Sequence, residues 1–140
     1  MGVLIGLLGW RIFRIGALLR DRPFEGVTLT VFNWYDYIDP TVIELFEEET
    51  GARIEYVNFT TNEEMYTKLE AVAGTYDVIF PSEYMIERLI KENMLQPLDK
   101  EALTNLGELD PEVVEMQKVY DPELMYSVPY FRGSVGIVYN

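Results

Sequence analysis

Two short runs carry the side chains best suited to chemistry: Trp34-Tyr35-Asp36-Tyr37 and Ser82-Glu83-Tyr84. Both combine ring faces with a carboxylate. The 140-residue chain has no cysteine and no histidine. That removes disulfides, zinc fingers, Cys–His or Ser–His–Asp nucleophiles and imidazole-held metals at once. Carboxylates, Lys, Tyr and Ser remain. A phosphate site draws on glycine-rich backbone amides, and neither run contains a glycine. Rings and carboxylates suit a cation instead. An ammonium over a ring gains roughly 0.5–2 kcal/mol, more as water is excluded. A carboxylate supplies the counter-charge, and a wall of rings suits a methylene chain between amines.

Each residue also has an ordinary structural role open to it. Trp34 and Tyr37 could be core side chains at a strand end, and Asp36 a solvated turn residue. Ser82 could be a helix N-cap and Glu83 a first-turn acid favoured by the helix dipole. A third reading pairs Asp36 with Glu83 as two carboxylates for acid–base work on a sugar. No nucleophile, metal set or cofactor motif accompanies that pair, so no cofactor is expected.

Patterning predicts the scaffold that carries these runs. Thr28 to Asn33, after Val27, reads as a strand. Asp39-Pro40 opens a helix with Asp39 as N-cap, a stripe of Val42, Leu45 and Phe46, and Gly51 as its stop. Glu47, Glu48 and Glu49 make a solvated acidic face. Ala52 to Phe59 reads as a second strand. Thr61 and Glu64 form a capping box opening a helix with Met65, Leu69 and Val72 on one face, ended by Gly74. Asp77 to Pro81 is a short apolar strand of the kind buried on both sides. Ser82 to Asn93 is a third helix, with Ile86, Leu89 and Ile90 inward. Lys100 to Asn105 makes one helical turn or two, and Asp110-Pro111 caps a helix to about Val119. Tyr126–Pro129 and Ser134–Tyr139 read as further strands.

Strands alternating with helices indicate an α/β fold: a mostly parallel sheet with helices on both faces. Winding that reverses after the second strand gives the order 2-1-3. Ligands then bind beyond the carboxyl ends of strands 1 and 3, where both aromatic runs emerge.

Charge divides the chain. Residues 1–22 hold four arginines and one aspartate, and the remainder holds seven basic against 23 acidic residues, within a total of −13. Phosphate would repel such a body, which sets nucleic acid aside. The apolar stretch Val3 to Leu19 is interrupted by Arg11 and Arg14, each costing roughly 2.5–3.5 kcal/mol at a bilayer centre. Its charges do not precede the apolar run as in a secretory signal. Residues 1–24 are therefore read as an atypical signal or anchor segment, or a fusion remnant.

The run Val31-Phe-Asn-Trp-Tyr-Asp-Tyr-Ile, the segments Phe46-Glu-Glu-Glu-Thr-Gly51 and Thr61-Asn-Glu-Glu-Met-Tyr-Thr-Lys-Leu69, and Tyr76-Asp-Val-Ile-Phe-Pro-Ser-Glu-Tyr84 share one pattern. Tyr126-Ser-Val-Pro-Tyr130 and Gly136-Ile-Val-Tyr-Asn140 continue it. In this order they resemble the spermidine/putrescine-binding periplasmic proteins of ABC transporters. The resemblance implies a type II periplasmic-binding-protein-like lobe over residues 25–140, the first of two, truncated before the second. It implies capture of a polyamine and delivery to ABC permease subunits, by a protein that is periplasmic or extracytoplasmic, anchored or not through residues 1–22, and a monomer when complete. Trp34 and Tyr37 would be aromatic walls, Asp36 the acid near an amine, and Ser82 and Tyr84 would line the same cleft. Tyr35 stands where the family often has a small hydroxyl residue. Phe131-Arg132 replaces a pattern that often has Trp before the glycine. A different small solute of the same superfamily is the alternative cargo, with a carboxylate-based hydrolase behind it.

Overall fold

The computed structural model describes residues 22–72, 74–133 and 136–138. The chain divides into two compact units at Phe80/Pro81. The first contains β1 (Thr28–Trp34), α1 (Pro40–Thr50), β2 (Arg53–Phe59), α2 (Asn62–Ala71) and β3 (Val78–Ile79). Its strands form a parallel sheet in the order β2-β1-β3, as patterning predicted. The crossover from β1 to β2 runs one way and that from β2 to β3 the other. Right-handed crossovers therefore put α1 and α2 on opposite faces.

Local chemistry sets the boundaries. Asp39 Oδ1 accepts from Thr41 N at 2.8 Å and from Thr41 Oγ1 at 2.7 Å, with Pro40 at the first helical position. Those bonds from Thr41 hold the Asp39 carboxyl below its ordinary range. Gly51 ends α1 in the left-handed region (φ 78°). A Cβ there would also lie 2.9 Å from Arg22 Cβ and 3.2 Å from the Glu25 backbone, so the site admits only glycine on two counts. At α2, Thr61 Oγ1 accepts from Glu64 N at 3.1 Å. Glu64 Oε2 reaches back one residue beyond the cap, accepting from Thr60 N and Thr60 Oγ1, each at 3.0 Å.

Phe32 lies on the face that α2 covers. It is fully buried, stacked on Tyr76 (centroids 4.3 Å) and edge-on to Phe59 (4.9 Å), with Lys68 Nζ 5.5 Å above its ring. Phe59 and Met65 complete the buried set on this side.

Three sequence expectations are corrected. The α1 stripe is not core: Val42 and Leu45 are 55% and 56% exposed. α1 contacts β2, an edge strand, so sheet lies to one side of it only. The third strand is two residues long and not buried on both sides, since Val78 is 42% exposed. Val72, expected inward with Met65 and Leu69, is exposed at the helix end.

The second unit holds α3 (Glu83–Lys91), a 3₁₀ turn (Leu106–Glu108) and α4 (Pro111–Gln117). In α3, Leu89 is buried as expected, while Ile86 and Ile90 are half-buried and Met85, not anticipated, is buried beside them in the pattern. Lys100 to Asn105 forms turns, with the 3₁₀ turn just beyond. Tyr126–Pro129 is not a strand. Its backbone amides go to a side chain: Asp121, 2% exposed, accepts from Met125 N (3.0 Å), Tyr126 N (2.8 Å), Ser127 N (3.0 Å) and Ser127 Oγ (2.9 Å). Of the strand expected at Ser134–Tyr139, residues 136–138 are not strand, and the other three lie outside the described residues. The proposed signal or anchor also lies outside them, save residues 22–24.

Two measurements test these local roles. Asp121→Ala should lower unfolding free energy in urea by about 2–4 kcal/mol, because several donors lose one shared acceptor. Glu64 is held below its ordinary 4.5, at about 2, first by the hydrogen bond from Lys68 and then by those from Thr60. Its folded value is depressed, so its contribution is full above pH 4.5 and fades as pH falls towards 2. An acid titration of helicity should show Glu64→Gln flattening that part of the transition.

Candidate functional site

The aromatic run begins on the last residue of β1 and turns away from the sheet. Trp34 is half-buried, its ring 4.6 Å from Phe59 and 6.1 Å from the Tyr37 ring, so Trp34 and Tyr37 do come together. Trp34 is thereby partly a core residue: one side of the indole packs on Phe59, and the side chain keeps intermediate exposure. Tyr35 is 68% exposed and Tyr37 41%. Tyr35 N donates to Phe59 O at 3.3 Å, extending the β1–β2 ladder by one bond.

Asp36 is exposed and left-handed, with φ 57°. An L-residue tolerates this conformation at a cost that Asp and Asn bear best. The turn thus presents the carboxylate outward, between two tyrosines, at the carboxyl end of the central strand.

Ser82, Glu83 and Tyr84 open the second unit. Ser82 stands at the N-cap position of α3, and its carbonyl accepts from Met85 N (2.9 Å) and Ile86 N (3.1 Å). Its hydroxyl does not make the capping bond that the sequence suggested. Glu83 is an exposed first-turn acid and Tyr84 is 49% exposed. Among the described residues, no three Asp or Glu side chains gather as a metal site.

Sequence reasoning passed over the polar residues that hold this turn. Asn33 is fully buried, and its Oδ1 accepts from Trp34 N at 2.7 Å. Asn58, its register partner on β2, donates from Nδ2 to Trp34 O at 3.3 Å, and Tyr56 OH lies 3.5 Å from the same oxygen. The available signal was a polar residue at an inward position next to the aromatic run.

With φ at 57°, Asp36 yields a clean test of the turn. Asp36→Gly and Asp36→Asn should keep thermal stability near that of the parent. Asp36→Val should lose about 1–2 kcal/mol, the cost of a branched side chain in the left-handed region.

Comparison with known proteins bears on most of the chain. A family model described as bacterial extracellular solute-binding protein matches residues 33–140. The spermidine/putrescine-binding periplasmic protein of Salmonella typhimurium is 42% identical over 114 residues, covering 81% of this chain and 32% of that protein. The putrescine-binding periplasmic protein PotF of Escherichia coli is 38% identical over 126 residues, covering 90% and 33%. Among solved structures, the spermidine/putrescine ABC transporter substrate-binding protein PotD of Streptococcus pneumoniae aligns with TM-score 0.72 at 40% identity, covering 76% of this chain and 32% of that one. The TpPotD lipoprotein of Treponema pallidum aligns at 0.70 and 29%, covering 74% and 32%. The chain spans about a third of the length of these relatives. The family is one of solute-binding proteins, not of enzymes, which removes the hydrolase reading of Asp36 and Glu83. The 2-1-3 sheet and the match over residues 33–140 agree: the chain belongs to the bacterial extracellular solute-binding protein family.

Proposed function

We propose that this chain forms the first lobe of a polyamine-binding protein that hands spermidine or putrescine to ABC permease subunits. The observation that carries the proposal is the Trp34–Tyr37 turn: two rings 6.1 Å apart, on a turn that also carries the exposed Asp36 carboxylate, at the carboxyl end of the strand about which the sheet order reverses. Such crevices are where open α/β sheets bind ligands. Trp34 and Tyr37 would flank the methylene chain, Asp36 would pair with an ammonium, and Tyr35, Ser82 and Tyr84 would add contacts. The relatives named for spermidine and putrescine support the ligand class. An anionic solute finds no counter-charge in these runs, which disfavours an anion as the alternative cargo.

The protein works outside the cytoplasm on this reading, as the periplasmic relatives do, and as a monomer when both lobes are present. Residues 1–24 would serve as the export or anchor segment. No helix among the described residues is long and apolar enough to cross a membrane.

Calorimetric titration of the whole two-lobed protein should show heat with putrescine, spermidine or spermine and none with sulfate, phosphate or neutral sugars. An anion bound tightly, with no response to spermidine, overturns the reading. Asp36→Asn keeps the left-handed turn and removes the charge, so spermidine affinity should fall, by about 2–5 kcal/mol if the ion pair is desolvated. Tyr84→Ala should weaken binding through lost ring contact without changing the fold. The 140-residue chain alone should bind far more weakly than the whole protein, because a single wall leaves the ligand's other face in water.

A further inference from the structure

We propose that Asn33 and Asn58 form an amide clamp on the Trp34 backbone, one holding the peptide before its Cα and the other the peptide after it, and are positioning residues for the aromatic wall; the inference rests on the polyamine reading of that wall. The need for a clamp comes from the length of β3. On the β3 side of β1, the Thr30 carbonyl accepts from Asp77 N (3.0 Å) and the Phe32 carbonyl from Phe80 N (3.1 Å), and Thr30 N donates to Asp77 Oδ2 (2.7 Å). Trp34 is the next residue in that alternation, and β3 ends at Ile79, paired with Phe32. The Trp34 backbone has run past its neighbouring strand. A peptide at the end of a sheet must find other partners or lose their energy.

Side chains supply them. Asn33 Oδ1 takes the Trp34 N–H at 2.7 Å, and Asn58 Nδ2 gives to the Trp34 carbonyl at 3.3 Å. The two asparagines face each other in register, Asn33 on β1 and Asn58 on β2. Alternation puts both on the face opposite Phe32 and the Trp34 ring. The clamp therefore grips the backbone from one side while the indole occupies the other.

The orientation of Asn33 is forced. Turning its amide over would set an NH₂ group against the Trp34 N–H, donor against donor. In the forced orientation, Nδ2 has no hydrogen-bond partner among the described residues, although Asn33 is fully buried. An orphaned buried donor is destabilising, and an aliphatic residue here would avoid it. The fold carries that cost for what Oδ1 does, which is to fix one peptide. Because Trp34 is the first residue of the turn, rotation of this peptide swings the indole relative to Tyr37 and Phe59. The clamp converts strand register into ring placement.

Backbone amide exchange and indole resonances of the chain test this directly. In Asn33→Ala, Trp34 N–H should exchange about ten-fold faster relative to Phe32 N–H, and the Trp34 indole signals should move. Asn33→Asp keeps an acceptor and should restore Trp34 protection even if overall stability falls. In the whole protein, Asn33→Ala should weaken spermidine binding about five-fold or more. A purely structural asparagine would instead speed all amides alike and leave the affinity of the folded protein unchanged, which overturns the proposal. Should Asn33→Ala not fold, Asn58→Ala takes its place: shifted indole signals and weaker spermidine binding uphold the clamp, and neither change overturns it. If the Trp34-specific exchange appears while the wild-type protein binds no polyamine, the clamp stands and the ligand reading alone falls.

Discussion

β1 is hydrogen-bonded on both sides in parallel, to β2 along its whole length and to β3 over two residues. A central parallel strand needs crossovers in both directions, and right-handed crossovers then place one helix on each face. Phe32, in the middle of that strand, is enclosed by Tyr76, Phe59 and the Lys68 side chain. The same arrangement brings the end of β1 out at the reversal of strand order. Trp34, Tyr35, Asp36 and Tyr37 are presented there because β1 is central, not because of anything in the loop itself.

The asymmetry between β2 and β3 decides how the end of β1 is held. β2 matches β1 to the end, pairing Trp34 with Phe59, and supplies both the aromatic platform beneath the indole and the amide that grips its carbonyl. β3 stops short. Polar side chains take over where the ladder is missing: Asp77 at one end and Asn33 at the other. The second unit uses the same device more fully. Asp121 gathers three backbone amides and a hydroxyl, giving Tyr126 and Ser127 a fixed path without strand partners. In both units a polar side chain does locally what a neighbouring strand does elsewhere.

Charge and site chemistry point the same way. The body of the chain is strongly acidic, which raises the local concentration of cations at its surface before any specific contact forms. On the polyamine reading, specificity would then fall to short-range elements: the spacing of the rings and the outward carboxylate on its left-handed turn. Placing that carboxylate on Asp36, a type that tolerates positive φ, lets one residue serve both the turn and the charge.

Much of the fold was legible in the amino-acid sequence because it rests on short-range rules. Asp39-Pro40, Thr61 with Glu64, and Gly51 are caps of short sequence span, and the structure realises each of them, with the Glu64 side chain reaching Thr60 in place of Thr61. The alternation of strands and helices was enough for a parallel sheet, and the order β2-β1-β3 followed from an expected reversal of winding after the second strand, which the structure has. Identity of the aromatic run was legible too, since rings and carboxylates side by side limit the ligand class whatever the geometry. Burial was less so: Val42 and Leu45 look inward by periodicity, but periodicity cannot tell whether sheet lies across from them, and here it does not. The strand expected at Tyr126–Pro129 failed for a related reason, because its amides were claimed by Asp121, close in sequence but able to act only through a turn that no pattern announces. Asn33 and Asn58 gain meaning only through register, 25 positions apart in the chain and opposite each other in the sheet. Residue types along the chain were enough to single out the aromatic and acidic runs proposed to meet a ligand. How those side chains are held is a property of the folded molecule alone, because hydrogen bonds between distant residues exist only once strand pairing has brought them within about 3 Å.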